Sequence, residues 1–478
     1  MIPVLVMEST RRRVATKIIV SMTLSDESMI RSVSPYGNEK LFVLNGSYCV
    51  ESEEYLLLSE EDVEGGLSYD EDKMRLKLQE LERALVDDED SESAEAPAAC
   101  SYECSSSQQQ VSPKDLLFAC AVAVSQGRTE DASNMISQLR RRVSIDGEPW
   151  QRISAYMVEA LAARLAVSGK GLYRALKCKE PPSKDRLSAM QVLFEVCPCF
   201  RFGFMAANGA ILEAFAGEKA VHIIDFEVSQ GSQYITLLQT LAAENNKTCP
   251  RFRLTGVDDP DSIQRPVGGL NHIGLRLKEL AKSLNLDFEF NPVGDLDTLE
   301  CRPGEALIVN FAFHLHHMPD ESVSTLNQRD RLLRMVRSLN PKLVTLVEQN
   351  VNTNTTPFLH RFHEAYTYYS AMFDCLDATL PRESQERVNV EKQCLAREIV
   401  NIIACEGEER VERYEVWGKW KARMTMAGFQ ASPITENVNH MIRKLIKQYS
   451  HRYTTNIHSN ALHFGWEDKV LIVASAWR

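Results

Sequence analysis

Residues 220–243 read AVHIIDFEVSQGSQYITLLQTLAA, and the reading of this stretch decides the fold. Val221, Ile223 and Ile224 are β-branched, which suits a buried strand of a parallel sheet. Asp225 falls at the carboxyl end of that strand, where open α/β sheets place their ligand sites. Gly231 breaks the chain, and Tyr234, Ile235, Leu237, Leu238 and Leu241 then recur at helical spacing. Strand, turn and helix in this order open a nucleotide-binding α/β sheet. The turn itself lacks the glycines such a site needs to bring backbone close to a cofactor. Only Gly231 permits that approach, while Phe226, Glu227 and Val228 add bulk and negative charge. Asp258 or Asp259, after the next strand, stands where an acid would meet ribose hydroxyls. One acid without a glycine loop does not make a site, so no cofactor is expected.

The strand–helix alternation continues outward from this unit. Strands are expected at 221–225, 252–257, 286–290, 306–311 and 343–348, with helices at 232–244, 269–283 and 329–339 between them. Such alternation implies a parallel sheet covered on both faces. Long helices follow near 357–376, 387–404 and 409–427, then one over 434–449 with Val438, Met441, Ile442, Leu445 and Tyr449 as its buried stripe. Strands near 461–465 and 469–475 close the chain as an antiparallel hairpin. Upstream, residues 113–169 carry three helical runs, and Lys184 to Ala216 reads as a further one. The expected fold is α/β: a Rossmann-like, S-adenosylmethionine methyltransferase-type sheet core with an all-helical cap and a disordered N-terminal arm.

Charge sets the arm apart. Residues 51–110 hold 19 acids against 4 bases in a chain of 478 residues and net charge −12, so the remainder is close to neutral. Residues 1–110 read as largely disordered, with one amphipathic helix near 72–86 built on Met74, Leu78, Leu81 and Leu85. Near-neutrality supplies no overall electrostatic drive toward phosphate. No apolar run approaches the roughly 18 residues of a membrane span, so no membrane partner is expected. Twelve cysteines without a C-x-x-C pair read as reduced thiols.

Other candidate chemistries fail on spacing. His314, His316 and His317 lie in FHLHHMP, where His314 and His316 would share one strand face, with no neighbouring cysteine or repeated carboxylate spacing to complete a ligand set. His360 and His363 are one helical turn apart and lack a third partner. No metal site is expected. Ser229 and Ser475 have no G-x-S-x-G context, so no catalytic residue is assigned. Two basic clusters, Arg140, Arg141 and Arg142, and Arg443, Lys444, Lys447 and Arg452 around the last long helix, are candidates for DNA contact; solvated faces are the plainer reading.

In order along the chain, these blocks resemble the plant GRAS family, of the scarecrow-like kind. The resemblance rests on VHIID (Val221, His222, Ile223, Ile224, Asp225), followed by Phe226, Gln230, Gly231 and Gln233, with leucine-rich runs on either side. Further on, Pro357, Phe358, Arg361, Phe362, Tyr368, Arg397 and Glu398 resemble the P-F-Y-R-E block. The terminal SAW is Ser475, Ala476 and Trp477, and Trp420, Gly428 and Trp466 keep that region's spacing. Tyr234 stands where many relatives have Trp.

The resemblance implies a GRAS domain over 111–478, with 111–216 mainly helical cap and first leucine-rich region and 217–478 mainly α/β core. It also implies a nuclear transcriptional regulator and not an enzyme. The implied partners are transcription factors, zinc-finger factors among them; direct DNA contact and a homodimer stay open. The alternative is a small-molecule methyltransferase with a divergent cofactor loop. Trp466 and Trp477 are expected to anchor the final hairpin, with Arg397, Glu398 and Arg478 in buried ion pairs. The Asp225 carboxylate is expected to accept from backbone N–H groups near Gln230 and Gly231.

Overall fold

The computed structural model describes residues 30–33, 39–42, 111–166, 184–243, 250–265 and 268–478. Within the acidic arm, β1 (Ile30–Val33) and β2 (Glu39–Phe42) pair antiparallel, and the helix expected near 72–86 lies outside the described residues.

Helix starts follow local chemistry. α1 (Pro113–Ser125) is capped by Ser112, whose hydroxyl accepts from the Asp115 N–H at 3.1 Å. α2 (Thr129–Arg140) follows it. α3 (Pro149–Leu165) opens on a proline at its first position, with Gln151 reaching back to the Glu148 N–H at 3.0 Å. The run expected over 184–216 is two helices, α4 (Lys184–Val196) and α5 (Pro198–Phe215). Pro198 has no N–H to continue α4, so it starts a new helix instead.

The sheet is nine-stranded among the described residues. β3 (Ala220–Asp225), β4 (Arg251–Val257), β5 (Phe288–Val293), β6 (Ala306–Ala312) and β7 (Leu343–Gln349) run parallel in the order β5-β4-β3-β6-β7. The order reverses between β3 and β6, which makes the crevice at their carboxyl ends a switch point. α6 (Ser232–Ala243), α7 (Pro260–Ile263), α8 (Leu270–Ser283) and α9 (Gln328–Ser338) lie between the strands. Side chains alternate across the sheet. Val221, Ile223 and Ile308 pack with Leu237 and Leu277 on one face, and Ile224, Val309 and Phe311 pack with Leu333 on the other. The leucine-rich stripes are therefore spent on the core: Leu116, Leu117, Leu161, Leu270, Ile273 and Leu277 are buried.

After β7 come α10 (Phe358–Asp377), α11 (Gln385–Val390), a π-helical turn over Glu391–Leu395, and α12 (Ala396–Ala404). α10 and α12 pack with α3, α10 also with α1, and α11 with α4, so the helical layer draws on both ends of the domain, while α5 lies on the sheet. Gly203 makes that approach close, because a Cβ there would sit 2.6 Å from Val347. Three buried charges pin the layer: Arg152 of α3 pairs with Glu391 at 2.9 Å, and Arg387 holds the same carboxylate at 2.7 Å.

The helix expected from 409 begins only at Trp417 (α13, Trp417–Met426). Residues 411–415 stay out of the helix because partners elsewhere satisfy their backbone. Asn401 Oδ1 takes the Val411 and Glu412 N–H groups at 2.9 Å each, the His316 carbonyl takes Arg413 at 3.1 Å, and Thr353 Oγ1 takes Tyr414 at 3.0 Å. β8 (Ala431–Ser432) pairs with the last strand. α14 (Glu436–Ile446) ends short of 449; Met441 is exposed, and Ile446 is buried instead. β9 (Tyr453–His458) was not anticipated, because its burial pattern is mostly exposed and lacks alternation. β10 (Ala461–Trp466) and β11 (Lys469–Trp477) form the expected hairpin. β11 runs antiparallel between β7 and β10, which completes the methyltransferase-type, Rossmann-like plan.

Candidate functional site

Register places Asp225 of β3 beside Asn310 of β6, and Asn310 beside Thr345 of β7, so three polar side chains line up across the switch point. Asn310 Nδ2 donates to Asp225 Oδ2 at 2.7 Å and to Gln233 Oε1 at 3.0 Å, and its own Oδ1 accepts from Thr345 Oγ1 at 2.6 Å. Gln233 passes the network to Asn208 of α5 at 3.1 Å. Asp225 also accepts from the Glu227 N–H at 2.6 Å and from the Tyr234 hydroxyl. The donors are thus Glu227, Tyr234 and Asn310, not the N–H groups near Gln230 and Gly231. Those two amides sit further round the turn, where the Gly231 N–H bonds the Val228 carbonyl at 2.9 Å. Burial pushes the Asp225 carboxyl above its ordinary range.

The turn is filled by its own side chains. Phe226 stacks on Phe311 at 5.1 Å, Val228 is buried over Gly256 of β4, and Gly231 takes the left-handed conformation at φ 78°. The space left between this turn and Met190, Phe194 and Phe204 is about 10 Å³, room for one water. Asp259, the candidate ribose acid, caps α7 by accepting from the Ser262 N–H at 2.9 Å, and Asp258 is exposed. Of the other VHIID residues, Val221, Ile223 and Ile224 are core. His222 accepts at Nδ1 from Arg253 at 3.1 Å, so its Nε2 carries the proton donated to Thr255 at 2.8 Å. Burial, with Arg253 beside it, lowers His222 to about 4.

The neighbouring turn, after β6, gathers a second cluster. His314 and His316 do not share a strand face: β6 ends at Ala312, and Leu315–His317 form a 3-10 turn. Glu348 of β7 accepts from the Leu315 N–H at 2.9 Å and from His316 Nδ1 at 2.7 Å. Glu412 faces His316 Nε2 at 3.5 Å and His317 Nε2 at 3.4 Å, and accepts from the Tyr414 hydroxyl at 2.7 Å. Glu398 accepts from Tyr369 at 2.6 Å, and burial together with the Glu412 charge pushes it up to about 7. Burial alone would raise Glu412, but the two imidazoles reverse this and hold it well below its ordinary value. His314 lies 3.7 Å from Glu227, which joins the two turns. Nothing in the local sequence announced these carboxylates, because Glu348 and Glu412 arrive from distant segments.

The P-F-Y-R-E residues are structural. Pro357 precedes α10, Phe362 is buried against Phe118 at 5.4 Å, and Tyr368 donates to the Leu471 carbonyl at 3.2 Å. Arg361 donates to the Ile402 carbonyl at 2.9 Å, pairs with Glu406, and lies over Phe358. Arg397 is half-buried. The expected ion pairs at Glu398 and Arg478 differ from the structure. Glu398 takes a tyrosine hydroxyl, and Arg478 is exposed, with its backbone paired to Gln430 at 2.7 and 2.8 Å.

In the SAW region, Trp466 Nε1 donates to Asp374 of α10 at 2.7 Å, and Trp477 Nε1 to Ser475 Oγ at 2.9 Å. Ala476 is buried, Trp420 lies under the Arg329 guanidinium, and the Gly428 carbonyl takes Arg337 Nε at 2.9 Å. Sequence reasoning missed the buried charge centre beside them. There Arg423 binds Asp320 at 2.9 Å, Asp330 at 2.9 Å and Glu415 at 2.6 Å.

The two basic clusters are spent unequally. Arg140 is engaged twice by Glu159 at 2.8 Å, Arg141 bonds the Ser137 carbonyl at 3.3 Å, and Arg142 the Val111 carbonyl at 2.7 Å. Arg452 bridges Asp374 and Glu467 over the Trp466 ring. Arg443 and Lys444 are exposed on α14, and Lys447 is exposed at its C-cap. Among the described residues no single helix is long and apolar enough to cross a membrane.

Comparison with known proteins places this geometry. The GRAS domain family model matches residues 113–478. Scarecrow-like protein 1 of Arabidopsis thaliana is 58% identical over 446 residues, covering 86% of this chain and 75% of that protein. Scarecrow-like transcription factor PAT1, also of Arabidopsis thaliana, is 52% identical over 380 residues, covering 77% of each. The crystal structure of SCL7 from Oryza sativa superposes with a TM-score of 0.66 at 30% identity, covering 77% of this chain and all of that one. The chain belongs to the GRAS domain family.

Proposed function

We propose that this GRAS protein is a plant transcriptional regulator that works in the nucleus through protein–protein contacts and carries no methyltransferase activity. The observation that carries this reading is the filled switch point. Where a cofactor would lie, Phe226 and Val228 pack into the sheet edge, and the remaining space is about 10 Å³. The similarity to PAT1, named a transcription factor, supports the regulatory role. Its partners are DNA-binding transcription factors, with zinc-finger factors among them. Any direct DNA contact falls to Arg443, Lys444 and Lys447, because Arg140 and Arg452 are held in ion pairs.

Two measurements test this. Calorimetric titration of the full chain with S-adenosylmethionine is expected to show no binding, and micromolar binding would overturn the reading. Pull-down of the full chain from plant nuclei is expected to retain its transcription-factor partners after nuclease treatment. If every partner is lost with the nucleic acid, the protein acts through DNA instead. Light scattering at high concentration decides whether a homodimer forms.

A further inference from the structure

We propose that His316, His317 and Glu412 form a binding site for one divalent transition-metal ion of the zinc class. Each offers one ligand atom, and the three atoms lie within 4.8 Å of one another. The separations fit the chemistry. Two ligands about 2.0–2.2 Å from a tetrahedral zinc ion stand about 3.3–3.5 Å apart. Glu412 Oε2 lies 3.4 Å from His317 Nε2 and 3.5 Å from His316 Nε2.

Hydrogen bonding sets the tautomer. Glu348 is fully engaged as an acceptor, taking the Leu315 N–H at 2.9 Å and His316 Nδ1 at 2.7 Å. A carboxylate cannot donate, so Nδ1 of His316 carries the proton and Nε2 presents a lone pair. That lone pair points at the Glu412 carboxylate, and His317 Nε2 faces the same oxygen. A lone pair set against a carboxylate calls for a cation between them, either a proton, which His317 Nε2 can supply, or a metal that takes the proton's place.

The surroundings fit a metal. A carboxylate behind a ligating imidazole raises its basicity and fixes the ring, and Glu348 stands in that position behind His316. Tyr414 stacks on the His316 ring at 4.3 Å and donates to Glu412, while Gln349 donates to the Tyr414 hydroxyl at 2.9 Å. His317 is 33% exposed, which opens a path from solvent and room for a fourth, water ligand. Two imidazoles with one carboxylate select a first-row transition ion over magnesium or calcium, which prefer oxygen. The site would tie the turn after β6 to the extended segment 411–415.

The test uses the full chain after chelator treatment, titrated with zinc chloride and, separately, cobalt chloride. One equivalent of zinc is expected at micromolar affinity or tighter, weakened at least tenfold in His317→Gln and in Glu412→Gln. His317 is the more exposed ligand, so its variant is expected to fold, with a lowered melting temperature, and to keep the comparison valid should Glu412→Gln fail to fold. X-ray absorption of the zinc form is expected to report nitrogen and oxygen neighbours only. A sulfur neighbour would place the metal on the chain's cysteines and overturn the proposal. So would zinc binding unchanged in His317→Gln, or no stoichiometric zinc at all, which would leave the cluster as a proton-bridged ion pair.

Discussion

The turns after β3 and after β6 sit side by side at the carboxyl edge of one sheet, and each is built around a non-glycine residue at positive φ: Ser229 at 51° and Phe313 at 58°. They use their carboxylates in opposite ways. Asp225 meets three donors, from the Glu227 N–H, Tyr234 and Asn310, so its charge is absorbed by the fold. Glu412 meets one hydroxyl and two imidazole nitrogens, one of which has its proton fixed on the far side of the ring. A carboxylate surrounded by donors holds structure together, whereas one that also faces an imidazole lone pair still has binding capacity. The place expected of a nucleotide-binding sheet has become cement, and the capacity has moved one strand over.

The largest expected effect breaks the first half of this contrast. Asn310→Leu removes the donor shared by Asp225 and Gln233 and the acceptor for Thr345, leaving a buried charge short of partners. Destabilisation of about 3–5 kcal/mol is expected in chemical denaturation, the range for breaking a buried charged network. A variant that unfolds with the parent would show that the row across β3, β6 and β7 is not structural.

Next comes Phe313→Gly, which sharpens the comparison between the turns. Glycine relieves the positive φ, yet the ring packs on Phe200 at 5.3 Å and on Phe204 at 5.4 Å. The lost packing outweighs the relief, and a net loss of about 2–3 kcal/mol is expected for a half-buried aromatic ring. An unchanged or raised melting temperature would contradict this.

A third prediction concerns pH on the β3 side. His222 is lowered from 6.5 to about 4 by burial and by Arg253, with Arg302 adding to the effect and Glu305 and Glu289 opposing it. A base whose pKa falls on folding adds stability above its unfolded pKa and loses it as pH drops toward the folded value. About 2–3 kcal/mol is therefore expected to disappear between pH 6.5 and 4. His222→Asn should flatten that part of the stability profile, and an equally steep acid limb in the variant would assign the loss to other groups.

The sheet was legible because parallel strands buried on both faces carry β-branched runs, and Val221–Asp225 and Leu343–Glu348 fall almost where expected. Local periodicity failed where partners came from afar. Val411–Glu415 fell inside the helix expected over 409–427, but Asn401, His316 and Thr353 hold its backbone out of one. The same segment supplies Glu412, so misreading it as helix hid the carboxylate that completes the histidine pair. Asp225 does accept a turn N–H, but from Glu227 and not from Gln230 or Gly231 as expected. Its other donors, Tyr234 and Asn310, follow from helix placement and strand register, which spacing alone does not give.

The smallest effect isolates backbone strain. Ser229 holds a left-handed conformation that costs an L-residue roughly 1–2 kcal/mol, and its hydroxyl makes only a 3.4 Å contact with Glu227. Ser229→Gly removes the strain and returns roughly 0.5–1 kcal/mol to the flexibility of the unfolded chain. A net gain of about 0.5 kcal/mol is expected, visible as a small rise in melting temperature, with opposite sign to Phe313→Gly at the neighbouring turn. If Ser229→Gly is destabilising by more than that amount, the serine side chain holds the turn, and the two turns are alike in depending on side-chain packing for their shape.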